Sequence, residues 1–546
     1  MTKQVLQILL VFSLILIFER CAQIVPLNGG KRDTTPPKLV KAFPENNSVD
    51  FKFASIILLF DEFVQVKNLS TQLIVSPRLK TTPEISADGK KITIGLKTEE
   101  LLPNTTYRFS FGKAIVDMHE SNPVENFEFA FSTGSFIDSL KINGDVTEAF
   151  NNKASANILV GLYYGERTGD SLPYKTEPDY YTRSNDRGEF IFKNLPYKTF
   201  RVFGFSDNNK NSLYDGETEK IAFLQSDLEL ISDTSIHLKL FQEEASKSFI
   251  KKTQTPYFGF TQIFLNKKAQ VRLRTLNPED EANVYETNVD RVKDTISFYY
   301  KNINDTLGLV LYNLSAGKTD TLKIAVPKNK PAKKKFKNYS LNTNGNKLAL
   351  YDKLKLTFLN WMDTSQSDLS KIKFSSKEDS LVGTLPLKGH WQSITSFELD
   401  LQLKEGVNYT LKIDTNAFFD LNQLANDSNA FNFTTQSKAE FGKLTLKLVL
   451  NQKQDYIVQL INEQEQVVRQ KFVSLSLSSS NATALDFTDI PPAVYFAKII
   501  FDDNKNKKWD GGNVLLKQQP EKVIINSKQL KVLSDWEIEE EIVIKE

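Results

Sequence analysis

From Pro37 onward, apolar and polar residues alternate in short runs punctuated by Gly, Pro, Asn and Asp, the period-two signature of half-buried strands. Lys91-Ile92-Thr93-Ile94-Gly95-Leu96 and Tyr107-Arg108-Phe109-Ser110-Phe111 alternate, and Ser55-Ile56-Ile57-Leu58-Leu59-Phe60-Asp61 reads as a buried strand. Further strands are predicted over 127–133, 140–146, 158–164, 270–273 and 307–312. The 39 Phe against 23 Gly and 3 Met also favour strands over helices. The pattern predicts an all-β chain of β-sandwiches, and 546 residues hold several at roughly 100–150 residues each.

The first 20 residues depart from this pattern. Lys3 precedes an almost unbroken apolar run from Val5 to Phe18, at about 14 residues short for a membrane span and right for the core of a signal peptide. The run ends at Cys21, the chain's single cysteine, so no internal disulfide is available. A lone Cys after such a run resembles the lipid-attachment site of bacterial lipoproteins, although Phe18-Glu19-Arg20 lacks the small residue usual before that Cys. Neither Ala22 nor Gln23 is the Asp of inner-membrane retention, so the resemblance implies a lipidated outer-membrane protein. Residues 21–36 form a Gly/Pro-containing tether without periodicity.

Two loops share one spacing. Asp207, Asn209, Asn211 and Asp215 recur as Asp502, Asn504, Asn506 and Asp510, each 295 positions on, with an aromatic (Tyr214, Trp509) and Gly (Gly216, Gly511) in register. Phe192-Lys193-Asn194-Leu195-Pro196 and Phe487-Thr488-Asp489-Ile490-Pro491 keep the same offset, so a module is duplicated. Oxygen-bearing side chains at alternate loop positions suit Ca²⁺, with the Leu213 carbonyl and Glu217 or Glu219 completing the first site. Neither loop is an EF-hand, since Ser212 and Lys507 stand where that motif has Gly. The competing reading is an Asx turn closed by its own hydrogen bonds. Any bound Ca²⁺ is expected to be structural.

Several segments resemble known families. "FPENNSVD", "ILLFDEFV" and "LLPNTTYRFSFG" look like a bacterial Ig-like domain of the S-layer type, and Asn408–Ile413, Asp420 and Phe433-Thr434-Thr435 repeat its landmarks. "GEFIFKNLP" is similar to transthyretin-like or collagen-adhesin B-type sandwiches. The expected order is therefore signal peptide 1–20, tether 21–36, Ig-like 37–136, transthyretin-like 137–240, a further sandwich 241–330, Ig-like 331–437 and transthyretin-like 438–546, an elongated array. Asp followed by Ser or Thr at Asp33, Asp138, Asp170, Asp294, Asp305, Asp320 and Asp379 resembles the O-glycosylation motif of Bacteroidetes exported proteins.

Charge and chemistry narrow the function. A net charge of +2 from 69 basic and 67 acidic residues offers no field for nucleic acid. The three histidines, His119, His237 and His390, fall in different expected modules, and no nucleophile-elbow, zinc-protease, P-loop or dinucleotide motif occurs. The expectation is a non-enzymatic outer-membrane lipoprotein, a scaffold or accessory subunit of an envelope complex with an integral β-barrel protein, the cell surface favoured over the periplasmic face. The alternative is a surface carbohydrate-binding or adhesive protein, with Trp361, Trp391 and Trp509 as stacking candidates.

Overall fold

The computed structural model describes residues 33–544 apart from 166–168, 245–246, 258, 287–291, 304, 327–334, 338, 350, 377–386, 451 and 476–481. Cys21, the apolar leader and most of the tether lie outside the described residues, as does Asp379. Among the described residues the chain is all-β, as its alternation predicts, a tandem array of β-sandwich modules with only single-turn helices and short 3₁₀ segments. Among the described residues no helix is long and apolar enough to cross a membrane.

In the first module, the strands Leu39–Phe43, Ser55–Phe60, Lys91–Gly95 and Glu84–Asp88 form one sheet and Ile74–Ser76, Thr106–Ser110 and Glu128–Ser132 another. Their inward residues, including Ile56, Leu58, Ile92, Ile94, Phe109 and Phe131, make a closed core. Tyr107 turns its hydroxyl back to accept from the Leu102 N–H at 2.8 Å, a corner that pins a strand end to its loop. The same corner recurs between the Tyr409 hydroxyl and the Lys404 N–H at 2.9 Å. Asp117 accepts four backbone N–H groups from 119–122, and Asp420 accepts from Asn422 and Leu424. The Ig-like landmarks at 107 and 117 thus have physical counterparts at 409 and 420.

Strand orders show the other duplication. In the second module Tyr180–Arg183, Leu159–Tyr163, Lys198–Phe205 and Lys220–Phe223 run side by side, followed by Thr234–Gln242, Leu140–Glu148 and Glu189–Leu195. In the fifth, Val467–Ser474, Asp455–Asn462, Ala493–Phe501 and Val523–Ile525 repeat the first group, and Glu537–Ile544, Gly442–Leu450 and Ala482–Ile490 the second. Each module pairs its last strand parallel to its first. Between them, the 16-residue strand Phe260–Thr275 pairs first with Val292–Tyr300 and then with Thr306–Asn313, wrapping one core. That module meets the fourth where Trp361 stacks on Tyr299, centroids 5.7 Å apart.

Within the array the fifth module lies against the second, face to face. The outward residues of Lys198–Phe205 and its neighbours, Phe203, Phe205, Ile221 and Phe223, form a second apolar cluster with Phe241, Tyr214 and, from the fifth module, Val514. The offset explains this contact. It is 295 from Asp215 to Asp510 but 302 from Glu219 to Glu521, so seven extra residues lie between them, and this longer loop reaches across. The Val514 N–H donates to Glu243 at 2.8 Å, Gln519 Nε2 donates to the Phe223 carbonyl at 2.9 Å, and Gln225 Nε2 donates to the Lys517 carbonyl at 3.1 Å. Phe150 packs on Trp509 at 5.0 Å, and Asn152 Nδ2 donates to the Val523 carbonyl at 3.0 Å.

Candidate metal loops at the module junctions

The first loop leaves the strand Lys198–Phe205 and coils through positive φ at Lys210 and Ser212, conformations that cost little only in an Asx-rich turn with local hydrogen bonds. Buried Asp207 accepts the Ser212 N–H at 3.1 Å through Oδ1 and pairs through Oδ2 with Arg183 Nη2 at 2.6 Å. Asn209 Oδ1 accepts the Asn211 N–H, and Asn211 Oδ1 accepts the Leu213 N–H. Both Asn amide nitrogens donate to one atom, Asp215 Oδ2, at 2.6 and 3.0 Å. The buried Glu219 carboxylate straps the loop ends, accepting the N–H groups of Asn208 at 2.6 Å and Asp215 at 3.0 Å.

The second loop repeats most of these bonds. Asp502 accepts the N–H groups of Asn506 and Lys507 at 3.0 Å each, and the Asn504 and Asn506 amides converge on Asp510 Oδ2. The strap here is Glu521, accepting from Asp503 at 2.9 Å and Asp510 at 3.0 Å. Lys508 Nζ lies 3.0 Å from Asp510 Oδ1, a cation the first loop lacks at the equivalent Leu213.

Three expected positions therefore converge in each loop, at 209, 211 and 215 and at 504, 506 and 510. Asp207 and Asp502 anchor the turn, with Asp207 committed to Arg183. Glu217 lies in the 3₁₀ turn Gly216–Thr218, its carbonyl accepting from Gln242 Nε2. Glu521 escaped sequence reading because the seven-residue insertion carries it out of the 295 register. Its signal is a Glu, four residues past Asp215 and eleven past Asp510, immediately before an apolar strand.

Burial raises Glu219 and Glu521 above the usual carboxylate range, and the neighbouring Asp charges add to this against the loop N–H groups. For Asp510 burial also pushes upward, but hydrogen bonds from Asn504, Lys508 and Asn506 win and hold it low. In both loops the Asn oxygens face backbone N–H groups while the amide nitrogens face the Asp carboxylate, the pattern of a self-closed Asx turn, and a cation at the focus would require both amides to turn over and give up those N–H bonds. The donor set of each loop then suits a hard, oxygen-preferring cation.

Both loops lie at joints. Arg78 of the first module donates to Ser212 Oγ at 2.8 Å and lies over the Tyr181 ring. Tyr214 and Tyr174 both donate to Glu243, the carboxylate that holds Val514. In the second loop Trp509 packs between its own sheet, with Nε1 donating to the Glu521 carbonyl at 2.9 Å, and Phe150.

Other chemistry-bearing residues are dispersed. Among the described residues, His390, Glu398 and Asp400 bring ligand atoms within 4.8 Å of one another, but Glu398 is paired with Lys353 at 2.7 Å and Lys355 at 3.7 Å. His237 pairs with Asp145 on the neighbouring strand. Trp361 is buried, Trp391 packs on Phe358 and Phe397, and Trp509 sits in the joint, so these rings form no exposed stacking platform.

Comparison with known proteins bears on the first module. Residues 33–133 match the bacterial Ig-like domain family. No curated protein matches the chain. Among solved structures, BcpA, the major pilin subunit of Bacillus cereus, is 9% identical, spans 74% of this chain and 99% of its own, and superposes with a TM-score of 0.14. The S-layer protein rSbsC is 11% identical over 90% of this chain and 67% of its own, TM-score 0.14, and SbsC domains 1–6 are 12% identical over 91% and 67%, TM-score 0.15. At such scores these likenesses carry neither arrangement nor function to this chain.

Proposed function

We propose that this protein is a non-enzymatic, lipid-anchored outer-membrane scaffold, an accessory subunit of an envelope complex that includes an integral β-barrel protein. Cys21 anchors it and residues 22–36 give reach. Two Ig-like and two transthyretin-like sandwiches with a fifth between them form its body, of the kind built in Bacteroidetes-type envelopes for protein assembly, secretion or uptake. The observation that supports this most is the joint between the second and fifth modules. A joint carried by a seven-residue insertion holds modules distant in sequence at one relative position, which suits presentation of edges and loops to a partner. A C-terminally tagged copy, purified from mildly solubilised outer membranes, is expected to bring a stoichiometric membrane protein with it. Recovery of the tagged chain alone sinks the subunit reading.

Ca²⁺ in the two loops belongs to this proposal as a structural staple at the joints. Millimolar Ca²⁺ is expected to raise the melting temperature over that in chelator, with stabilisation of about 3–4 kcal/mol per site at 100–1,000 times Kd. Asp215→Ala removes the larger part, because the second loop carries Lys508 at its focus. The increment shrinks on acidification. Glu219 and Glu521 have raised pKa values in the folded chain, so without metal their ionisation costs stability above the unfolded carboxylate pKa, and in full above the folded one. Protonation relieves that cost and withdraws the charge that holds Ca²⁺. Identical melting curves with Ca²⁺ and chelator at neutral pH would leave self-closed Asx turns as the correct description.

A further inference from the structure

At one end of the joint the second module opens a cleft of about 630 Å³, within the size range of small-molecule sites. Tyr164, Asp170, Lys198, Arg201 and Asp227 line it from that module, and Lys517 enters from the inserted loop of the fifth. Arg201 spans the floor, with Nε 2.9 Å from Asp227 Oδ1 and Nη2 3.4 Å from Asp170 Oδ1. Lys517 Nζ lies 3.8 Å from that same Asp170 oxygen. Lys198 Nζ stands over the Tyr164 ring at 4.0 Å. Among the described residues Arg201 Nη1 is one of the buried side-chain atoms without a hydrogen-bond partner, a state that costs roughly 1–3 kcal/mol.

The duplicated module serves as an internal control. Arg201 stands opposite Tyr163 in the register of the second module, and the same cross-strand position in the fifth is Phe496 opposite Ile461. Ala493 and Val494 replace Lys198 and Thr199 at the 295-residue offset. The fold therefore does not require a charged cleft here. One copy has it, and the other has apolar residues at the same strand positions.

We propose that this cleft binds a small hydroxylated molecule bearing one carboxylate, of the size and chemistry of a uronic-acid sugar. A planar carboxylate suits the cationic cluster that the Arg201 guanidinium forms with the ammonium groups of Lys198 and Lys517. Three cations against two carboxylates leave one positive charge in excess, which a single carboxylate balances. A phosphate dianion overcompensates it beside Asp170 and Asp227. Those two carboxylates are acceptors, and hydroxyl groups on the ligand supply donors to them. Because Lys517 belongs to the fifth module, the site is complete only when the joint is closed. This inference is independent of the scaffold reading.

The test is calorimetric titration of the full-length protein in detergent with sodium glucuronate, glucose and inorganic phosphate in parallel. Glucuronate is expected to saturate one site, with glucose and phosphate each weaker by about tenfold or more. Lys198→Gln and Lys517→Gln are each expected to weaken glucuronate by about five- to tenfold without lowering the melting temperature. Both lysines are exposed, so these variants keep the test open even where Arg201→Gln fails to fold. Absence of glucuronate saturation, an unchanged Kd in the double lysine variant, or phosphate binding as tight as glucuronate each overturns the proposal.

Discussion

Glu243→Ala is expected to part the second and fifth modules and to cost about 3–5 kcal/mol, since each buried donor left without an acceptor costs roughly 1–3 kcal/mol. Three donors end on this buried carboxylate: the Tyr174 hydroxyl at 2.7 Å, the Tyr214 hydroxyl at 2.9 Å and the Val514 N–H at 2.8 Å. Burial and then the hydrogen bond to Glu243 raise Tyr174, and burial and then the Glu243 charge raise Tyr214, so both remain protonated donors at neutral pH. The variant loses the acceptor from both faces of the joint together, and Val514 loses the anchor that seats it in the Phe203–Phe205–Phe241 cluster. Small-angle scattering should show a larger radius of gyration, and limited proteolysis should cut first within the loop 511–520. Glu243→Gln keeps an acceptor oxygen and should recover a large part of the loss. Superimposable scattering curves for wild type and Glu243→Ala would show that apolar contact alone closes the joint.

Lys498→Met is expected to act in the opposite direction, raising stability by about 1–3 kcal/mol at neutral pH. Lys498 occupies the outward position equivalent to Phe203, buried against Phe150 with Nζ 3.0 Å from the ring centroid. Desolvation lowers its pKa from 10.5 to about 8, only partly opposed by Glu465. The cation–π contact offsets part of the burial cost. A lysine lowered in the folded state costs stability wherever both states are protonated, which is below about pH 8. Between that pH and 10.5 the folded chain releases its proton before the unfolded chain does, so wild-type stability rises with pH across this window. In Lys498→Met that rise should vanish, because the titrating group is gone while a flexible side chain of similar length keeps the packing. Denaturant melts at pH 7 and pH 10 decide it, and a variant less stable than wild type at pH 7 refutes the argument.

Alternation of side chains by itself determined that the chain is all-β, because burying one face of a pleated strand requires period two wherever the strand lies. Strands predicted at Ser55–Asp61, 140–146 and 307–312 are found as Ser55–Phe60, Leu140–Glu148 and Thr306–Asn313. The Asp/Asn spacing likewise determined two equivalent coiled loops, since an Asx side chain bonds backbone within a few residues of itself. The duplication was legible as a constant offset for the same reason, being a property of local order.

The tertiary structure alone decided what depends on residues distant in sequence. Glu521, outside the 295-residue register, became the strap of the second loop only when the following strand returned beneath it. Of the apolar run Val514-Leu515-Leu516 in the insertion, only Val514 is buried, and it became the plug of the joint because the outward face of the second module carries Phe203, Phe205 and Phe223 in place of polar residues. A strand with two apolar faces reads in sequence as simply buried. Which neighbour covers the second face is set by the packing of another module, and on that packing rest the Glu243 anchor, the buried Lys498 and the charged cleft around Arg201.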